Sequence, residues 1–175
     1  MKYFIMQPDK KLKNTIMIKL TEKQLENNNA QVIFADLDSD KDLPDFIMIQ
    51  KLTKRAFIVS DLLKNMLDVY ADVMRTEPFI LADPRRRIQK NYWKVHLEEI
   101  DCLQQEESGQ SFKKKEIVID ESKTMKKFIF SIRKEDVQYW IASLPFAENF
   151  LRKNMFGVEW FPLQTMSGGE CVTDE

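Results

Sequence analysis

The sequence predicts a single α+β domain with a mostly antiparallel sheet and two to three helices. Three observations support this: the chain has 175 residues with 43% hydrophobic residues, several segments alternate between apolar and polar residues, and two apolar strands each lead into an amphipathic helix. A chain of this length buries about 70% of the surface that it exposes when unfolded. We assign residues 1–166 to this domain and residues 167–175 to a polar C-terminal tail.

The N-terminal part predicts strands at residues 3–6, 31–35 and 46–49, and a short helix that begins at Thr21. Residues 36–45 are predicted to be an acidic loop. Residues 56–59 are rich in β-forming residues and are followed by Ser60, which is a good N-cap for a helix. Further strands are predicted at residues 79–81 and 91–100. Residues 116–120 and 127–133 are predicted to form a strand pair.

A second strand, serine and helix follow near the C-terminus. Residues 139–142 are rich in β-forming residues, Ser143 is the predicted cap, and Pro145 falls in the first turn of a helix, where proline is tolerated. A last strand is predicted at residues 158–163. The two segments superpose at one offset, and the apolar positions predicted to be buried on the two helices are Leu63, Leu67, Phe146 and Phe150. Either they form a strand–helix–strand pseudo-repeat or they coincide by chance, because an apolar strand before an N-cap is common.

The residue types needed for catalysis are scarce. The only histidine is His96, in a strand pattern, where a structural or surface role is favoured over catalysis. Phosphate-binding glycine spacing and zinc-binding spacing are both absent from the sequence, and Cys102 and Cys171 form no CxxC pair. We therefore expect no catalytic residue, no metal ligand and no cofactor site. The unpaired cysteines indicate a reducing, cytoplasmic compartment.

Charged and aromatic residues are the better candidates for binding. The net charge is only −1, which argues against a dedicated nucleic-acid-binding protein. The acidic loop does not fit a calcium loop, because Lys41 stands where that motif needs glycine and Ile47 where it needs glutamate. An exposed acidic loop could instead meet a basic partner, and aromatic residues often anchor interfaces. The predicted partner-binding residues are Asp36, Asp38, Asp40, Asp42, Asp45, Tyr92 and Trp93.

Four stretches between about residues 44 and 163 resemble one family. They are Phe57-Ile-Val-Ser60 with its helix, Tyr92-Trp93 leading into residues 99–103 and 106–108, residues 117–130, and Trp140-Ile-Ala-Ser143 leading into residues 157–163. This order is similar to that of the bacterial polymorphic-toxin immunity proteins numbered eleven in the immunity-protein series. Gln104 and Ser131 depart from the family pattern. The resemblance implies a cytoplasmic protein that binds and blocks a toxin, and we transfer no site residue from it.

The first hypothesis is accordingly an immunity protein that neutralises a cognate toxin by one-to-one binding, without enzymatic activity. The alternative is a phage or mobile-element accessory protein that binds nucleic acid through the basic residues 85–87. A third reading is an enzyme with a carboxylate-based site. The longest uncharged stretch, residues 137–147, is too short to span a membrane, so we expect no membrane partner. The oligomeric state is left open.

Overall fold

In a computed structural model, the described residues form two sheets and two α-helices. The structure describes residues 1–12, 16–18, 29, 31–37, 42–52, 54–104 and 117–166. The strands are β1 (Tyr3–Pro8), β2 (Ile16–Ile18), β3 (Gln31–Leu37), β4 (Phe46–Lys51), β5 (Lys54–Ser60), β6 (Met74–Asp83), β7 (Ile88–Leu97), β8 (Val118–Asp120), β9 (Ile129–Lys134), β10 (Val137–Ser143) and β11 (Val158–Met166). The helices are α1 (Asp61–Tyr70) and α2 (Leu144–Arg152).

The predicted α+β class is confirmed, with one difference in the number of sheets. The strands form a five-stranded sheet in the order β8-β11-β1-β10-β9 and a six-stranded sheet in the order β2-β3-β6-β7-β5-β4. Both sheets are mostly antiparallel, with one parallel pair each, β11 with β8 and β6 with β3. Neither helix in the described part of the chain is long and apolar enough to cross a membrane.

The two sheets repeat the same arrangement of strands. In the six-stranded sheet, β4 and β5 form a hairpin, β5 leads through Ser60 into α1, and α1 leads into β6 beside β7. In the five-stranded sheet, β9 and β10 form the hairpin, and β10 leads through Ser143 into α2 and β11. The N-terminal strand β1 takes the place of β7 between the other two strands. The predicted repeat is therefore present, and its second copy is completed by the start of the chain.

The register of the strands supports this equivalence residue by residue. Ser60 lies opposite Tyr92 and Ser143 lies opposite Tyr3. Beside them, Pro78 lies opposite Trp93, as Pro162 lies opposite Phe4. The first half comprises β3 to β7 with α1, and the second half comprises β8 to β11 with α2 and β1.

The central core lies between the two halves. Phe57 of β5 and Trp140 of β10, which hold equivalent positions, stack at 4.7 Å between ring centroids and an interplanar angle of 22°. Both helices pack onto this core, and Leu63, Leu67, Phe146 and Phe150 are all buried, as predicted. Two smaller cores, on the faces of the sheets away from this centre, contain Ile58, Phe79 and Tyr92 in the first half and Ile141, Phe130 and Tyr3 in the second.

Two sequence predictions about strands are wrong. Residues 118–120 do not pair with residues 129–134, because β8 pairs with β11 at one edge of the five-stranded sheet while β9 pairs with β10 at the other. The predicted acidic loop does not begin at Asp36, because β3 runs on to Leu37 and Asp36 pairs with Met17 of β2. The helix predicted at Thr21, the C-terminal tail, Asp38, Asp40 and Cys171 lie outside the described residues.

Candidate protein-binding face

An apolar stripe is exposed on one face of the six-stranded sheet. Burial alternates along β3, so Ile33, Ala35 and Leu37 point into a core while Val32 and Phe34 are 57% and 70% exposed. Strand alternation places residues i and i+2 on the same face. Large apolar side chains exposed side by side are a mark of interaction surfaces in proteins of this size.

Neighbouring strands extend this stripe across the sheet. Val32 lies beside Ile80 of β6 in the parallel pair, and Pro78 of the same strand lies opposite Trp93 of β7. Paired residues share a face of the sheet. We name this surface the open face, and its members are Val32, Phe34, Asp36, Pro78, Ile80 and Trp93.

The placement of α1 explains why this face is open. The helix starts at the end of β5, where Ser60 accepts a hydrogen bond from the Leu63 N–H at 3.2 Å. It then packs on β5 and β7, with Leu63, Met66 and Leu67 buried. The part of the same sheet face that β6 and β3 contribute lies beside the helix and stays exposed to solvent.

Trp93 marks the border between the covered and the open part of the face. Its ring packs against the central core and is half-buried. The indole Nε1 donates a 2.6 Å hydrogen bond to Asp61 Oδ1 in the first turn of α1, and Lys64 Nζ lies 5.5 Å from the ring centroid. Contacts on two sides hold the ring in one orientation, which lowers the entropy that a partner would have to remove on binding.

The other end of the open face carries a fixed charge network. Asp36, whose side chain is 61% exposed, pairs with Arg86 of the β6–β7 turn. Arg86 Nη1 also donates to Asp83 Oδ2 at 2.9 Å and to the Leu37 carbonyl at 2.6 Å. Hydrogen bonds from the Leu37 N–H and from Arg86 to its carboxylate hold the pKa of Asp83 down at about 2. Bonds to Asp36 and Asp83 raise the pKa of Arg86.

The internal repeat shows that the fold does not require apolar residues at the positions of Phe34 and Ile80. Val118 pairs with Gln164 in β8 and β11, at the positions that Val32 and Ile80 hold in β3 and β6. Asp120 holds the position of Phe34 and caps the following turn by accepting bonds from Ser122. The second half thus carries Gln164 and Asp120 where the first carries Ile80 and Phe34, while Val118, Pro162 and Phe4 keep the apolar character of the other positions.

The structure places the predicted partner-binding residues differently from one another. Asp36 and Trp93 lie at opposite ends of the open face, and Asp42 is exposed in the segment before β4. Asp45 is engaged within the fold, because its carboxylate accepts hydrogen bonds from Ser60 Oγ at 2.6 Å and from the Phe156 N–H at 3.0 Å.

Tyr92 requires a correction. It was expected as an exposed aromatic residue, but it is 4% exposed and its hydroxyl donates to the Pro44 carbonyl at 2.9 Å. Adjacent strand residues face opposite sides, so when Trp93 turns to the open face Tyr92 must turn into the core behind it. Burial raises its pKa.

A buried ionic cluster escaped the sequence analysis. Glu77 of β6 lies opposite Lys94 of β7, and both are buried. Arg75 Nε lies 3.3 Å from Glu77 Oε1, while Lys94 Nζ and His96 Nε2 lie 3.7 and 3.6 Å from Oε2. Burial lowers the pKa of both Lys94 and His96. The opposite charges of Glu77 and Lys94, on two strands that follow each other in the sequence, could have indicated this ion pair, since cross-strand neighbours interact directly.

In this cluster the buried Glu77 carboxylate faces the cationic groups of Arg75 and Lys94, with the His96 imidazole beside them. Such a group is stable only while its partners remain together. In the described part of the chain no three His, Cys, Asp or Glu side chains come close enough together to hold a metal ion. The structure places the His96 imidazole beside the Glu77 carboxylate, and its structural or surface role stays a prediction.

No family model matches the chain, and no curated protein matches it.

Proposed function

We propose that this protein is an immunity protein, which neutralises a bacterial toxin by direct one-to-one binding and has no catalytic activity of its own. The observation that carries the proposal is the open face: Phe34 and Val32 are exposed there, and the second half has Asp120 at the position of Phe34. An apolar surface that the fold does not need is a cost in solubility unless a partner covers it. The resemblance of residues 44–163 to toxin-immunity proteins supplies the class of partner.

Inhibition by this route needs only shape and charge complementarity. Phe34 would enter an apolar hollow on the toxin, and Trp93 would contribute a rigid aromatic edge beside it. Asp36 would meet a basic rim, as expected for a toxin whose active site handles an anionic substrate. The proposed compartment is the cytoplasm, where such a toxin would act on the cell that makes it.

A substitution on the open face tests the proposal. Phe34→Asp copies the residue at the equivalent position in the second half, so the strand itself should tolerate it. Leu151→Asp on α2 is the matched control, because Leu151 is also an exposed apolar residue, 58% exposed, in the other half. The free energy of unfolding of both variants should stay within about 0.5 kcal/mol of that of the parent protein.

The assay is binding to, and protection against, the proteins encoded by the flanking genes. We expect one of them to bind one-to-one in isothermal titration calorimetry and to be inhibited. A central aromatic anchor contributes about 2 kcal/mol or more, so Phe34→Asp should weaken binding roughly 30-fold while Leu151→Asp changes nothing. If none of the proteins encoded by the flanking genes binds, the proposed immunity function is refuted. If the two variants weaken binding equally, the open face is not the toxin-binding site.

The competing nucleic-acid function makes a different prediction. Of the basic residues 85–87, the Arg86 guanidinium is already bound to Asp36, Asp83 and a backbone carbonyl. Binding through Arg85 and Arg87 would appear as salt-sensitive retention on DNA or heparin. Retention that is lost in an Arg85→Ala, Arg87→Ala double variant would favour this alternative over the toxin.

A further inference from the structure

Strand β4 forms one edge of the six-stranded sheet, and its register shows which backbone groups face outward. The Asp45 carbonyl accepts a bond from the Ser60 N–H at 2.9 Å, and β4 pairs antiparallel with β5 from Phe46 opposite Val59 onward. Because hydrogen-bonded pairs alternate in an antiparallel ladder, Phe46, Met48 and Gln50 direct their N–H and C=O groups away from β5. Among the described residues, no backbone group outside β5 bonds to Met48.

The second half shows how the same edge is filled within this chain. Strand β9 is equivalent to β4, and Ser131 is equivalent to Met48. The Ser131 N–H donates to the Glu98 carbonyl and the Ile100 N–H donates to the Ser131 carbonyl, both at 2.8 Å. The bridge between Glu99 and Ser131 is parallel. An extended segment running parallel to the edge strand thus satisfies the outward groups of Ser131.

A groove runs along β4, between this strand and residues 9–12, which follow β1 as residues 98–101 follow β7. It has a volume of about 370 Å³ and lies between β4 and the end of β1. Its walls are mainly apolar, and they include Pro8, Leu12, Pro44, Phe46, Ile47 and Met48. Long apolar edge strands are usually protected in proteins, since an open edge is a template for another strand.

Charge and apolarity indicate what kind of segment fits. The segment on β9 reads Glu98-Glu99-Ile100-Asp101, with Ile100 packed against the second-half core. The Glu99 carboxylate is held there by Arg133 Nη2 at 2.8 Å. Beside the β4 edge, the sheet ends in basic residues at the hairpin with β5: Lys51, Lys54 and Arg55.

The first half offers the apolar part of this recognition, with a guanidinium nearby. Arg55 Nε donates to Gln50 Oε1 and its Nη1 donates to the Gln138 carbonyl, both at 3.0 Å, so this guanidinium lies beside the residue equivalent to Arg133. Ile47 and Ile49 pack against the first-half core and are only partly buried, so they offer an apolar contact of the kind that Ile100 makes.

We propose that the β4 edge and its groove bind an extended acidic–apolar segment of a partner protein by strand addition. The segment runs parallel to β4. The carbonyl before its central residue accepts the Met48 N–H, and the N–H after that residue donates to the Met48 carbonyl. Backbone bonds of this kind supply affinity while side-chain pockets supply sequence preference. This inference concerns a different surface from the open face and does not depend on the toxin.

The probe is a fluorescent peptide with the sequence of residues 97–102 and serine in place of Cys102. We expect it to bind the full chain with a Kd below about 1 mM, which corresponds to roughly −4 kcal/mol. N-methylation of its isoleucine removes the N–H meant for the Met48 carbonyl, and it should weaken binding at least tenfold. Met48→Pro removes only the outward N–H, because edge-strand proline is tolerated where that group does not bond within the sheet. It should weaken binding similarly, while Met48→Leu should not.

Amide hydrogen exchange gives an independent readout if Met48→Pro fails to fold. In the free protein the Met48 amide should exchange faster than the equivalent Ser131 amide, and saturating peptide should slow Met48 at least tenfold. No binding at 1 mM peptide, or equal binding of the N-methylated peptide, would overturn strand addition. So would a Met48 amide that is protected as strongly as Ser131 before any peptide is added.

Discussion

Asp45 is the residue whose substitution tests the reasoning most directly, because sequence and structure assign it different roles. Its carboxylate accepts hydrogen bonds from Ser60 Oγ and from the Phe156 N–H. Its own backbone N–H donates to the Phe156 carbonyl at 3.0 Å. Ser60 caps α1 in the first half, and Phe156 lies just before β11 in the second. Asp45 therefore joins the two halves, and we expect its substitution to lower stability.

The expected loss follows from the geometry. Asp45→Asn keeps one carbonyl oxygen, which can accept from Ser60 or from Phe156 but not from both. Losing one hydrogen bond to a charged acceptor and leaving a partly buried donor unpaired costs about 1–3 kcal/mol. With a urea dependence of roughly 2 kcal/mol per molar for a domain of this size, the unfolding midpoint should fall by about 1 M.

The measurement is urea unfolding followed by tryptophan fluorescence. Asp42→Asn is the matched control, since it makes the same chemical change at an exposed residue three positions away and should stay within about 0.5 kcal/mol of the parent. A double-mutant cycle with Ser60→Ala should show a coupling of about 0.5–3 kcal/mol between Asp45 and Ser60. If Asp45→Asn is as stable as Asp42→Asn, the cross-half link does not contribute.

Three further outcomes are expected. Leu67→Ala and Phe150→Ala should each lower the free energy of unfolding by about 2–5 kcal/mol in urea titrations, because both side chains are buried against the central core; a negligible shift would contradict that packing. Since the folded pKa of Asp83 is about 2 and lies below its ordinary value, its contribution is present above about pH 4 and is lost as pH falls from about 4 towards 2. In Asp83→Asn, the free energy of unfolding should depend less on pH between about 4 and 2 than in the parent protein. An unchanged pH dependence would show that other carboxylates cause the loss of stability in acid. Cys102 is buried with a pKa raised to about 11 by burial, so in a Cys171→Ser variant the native protein should react with a thiol reagent at pH 8 no faster than it unfolds.

Local patterns in the sequence predicted the elements that depend on near neighbours. Ser60 and Ser143 were recognised as helix starts because an N-cap and the apolar stripe after it lie within one short window. The helix α2 confirms the second start, although the Ser143 hydroxyl makes no capping hydrogen bond there. The strand-rich character of residues 56–59 and 139–142 was likewise visible locally, and with it the repeat.

Pairing between distant strands could not be predicted in the same way. Nothing in residues 3–8 indicates that they lie between β10 and β11, more than a hundred residues away in sequence. The side of the sheet was equally undetermined for Tyr92 and Trp93, because two adjacent aromatic residues fit either phase of an alternating strand. In the structure, the Pro44 carbonyl accepts a hydrogen bond from the Tyr92 hydroxyl on one side of the sheet. The Asp61 carboxylate accepts one from the Trp93 indole on the other side.

Because the two halves share one arrangement of strands, a residue of one half can be compared with its equivalent in the other. Where equivalent residues meet in the centre, as Phe57 and Trp140 do, both are large and buried, because the shared core needs them. Two surface features differ between the halves. Phe34 corresponds to Asp120, and the outward backbone groups of Met48 correspond to those of Ser131, which are bound by residues 98–100. The strands pair in the same way in both halves, so strand pairing does not require Phe34. The Ser131 edge is bound because the chain runs from β7 along β9. Under both proposals the first half is the part of the protein that we expect to bind partners.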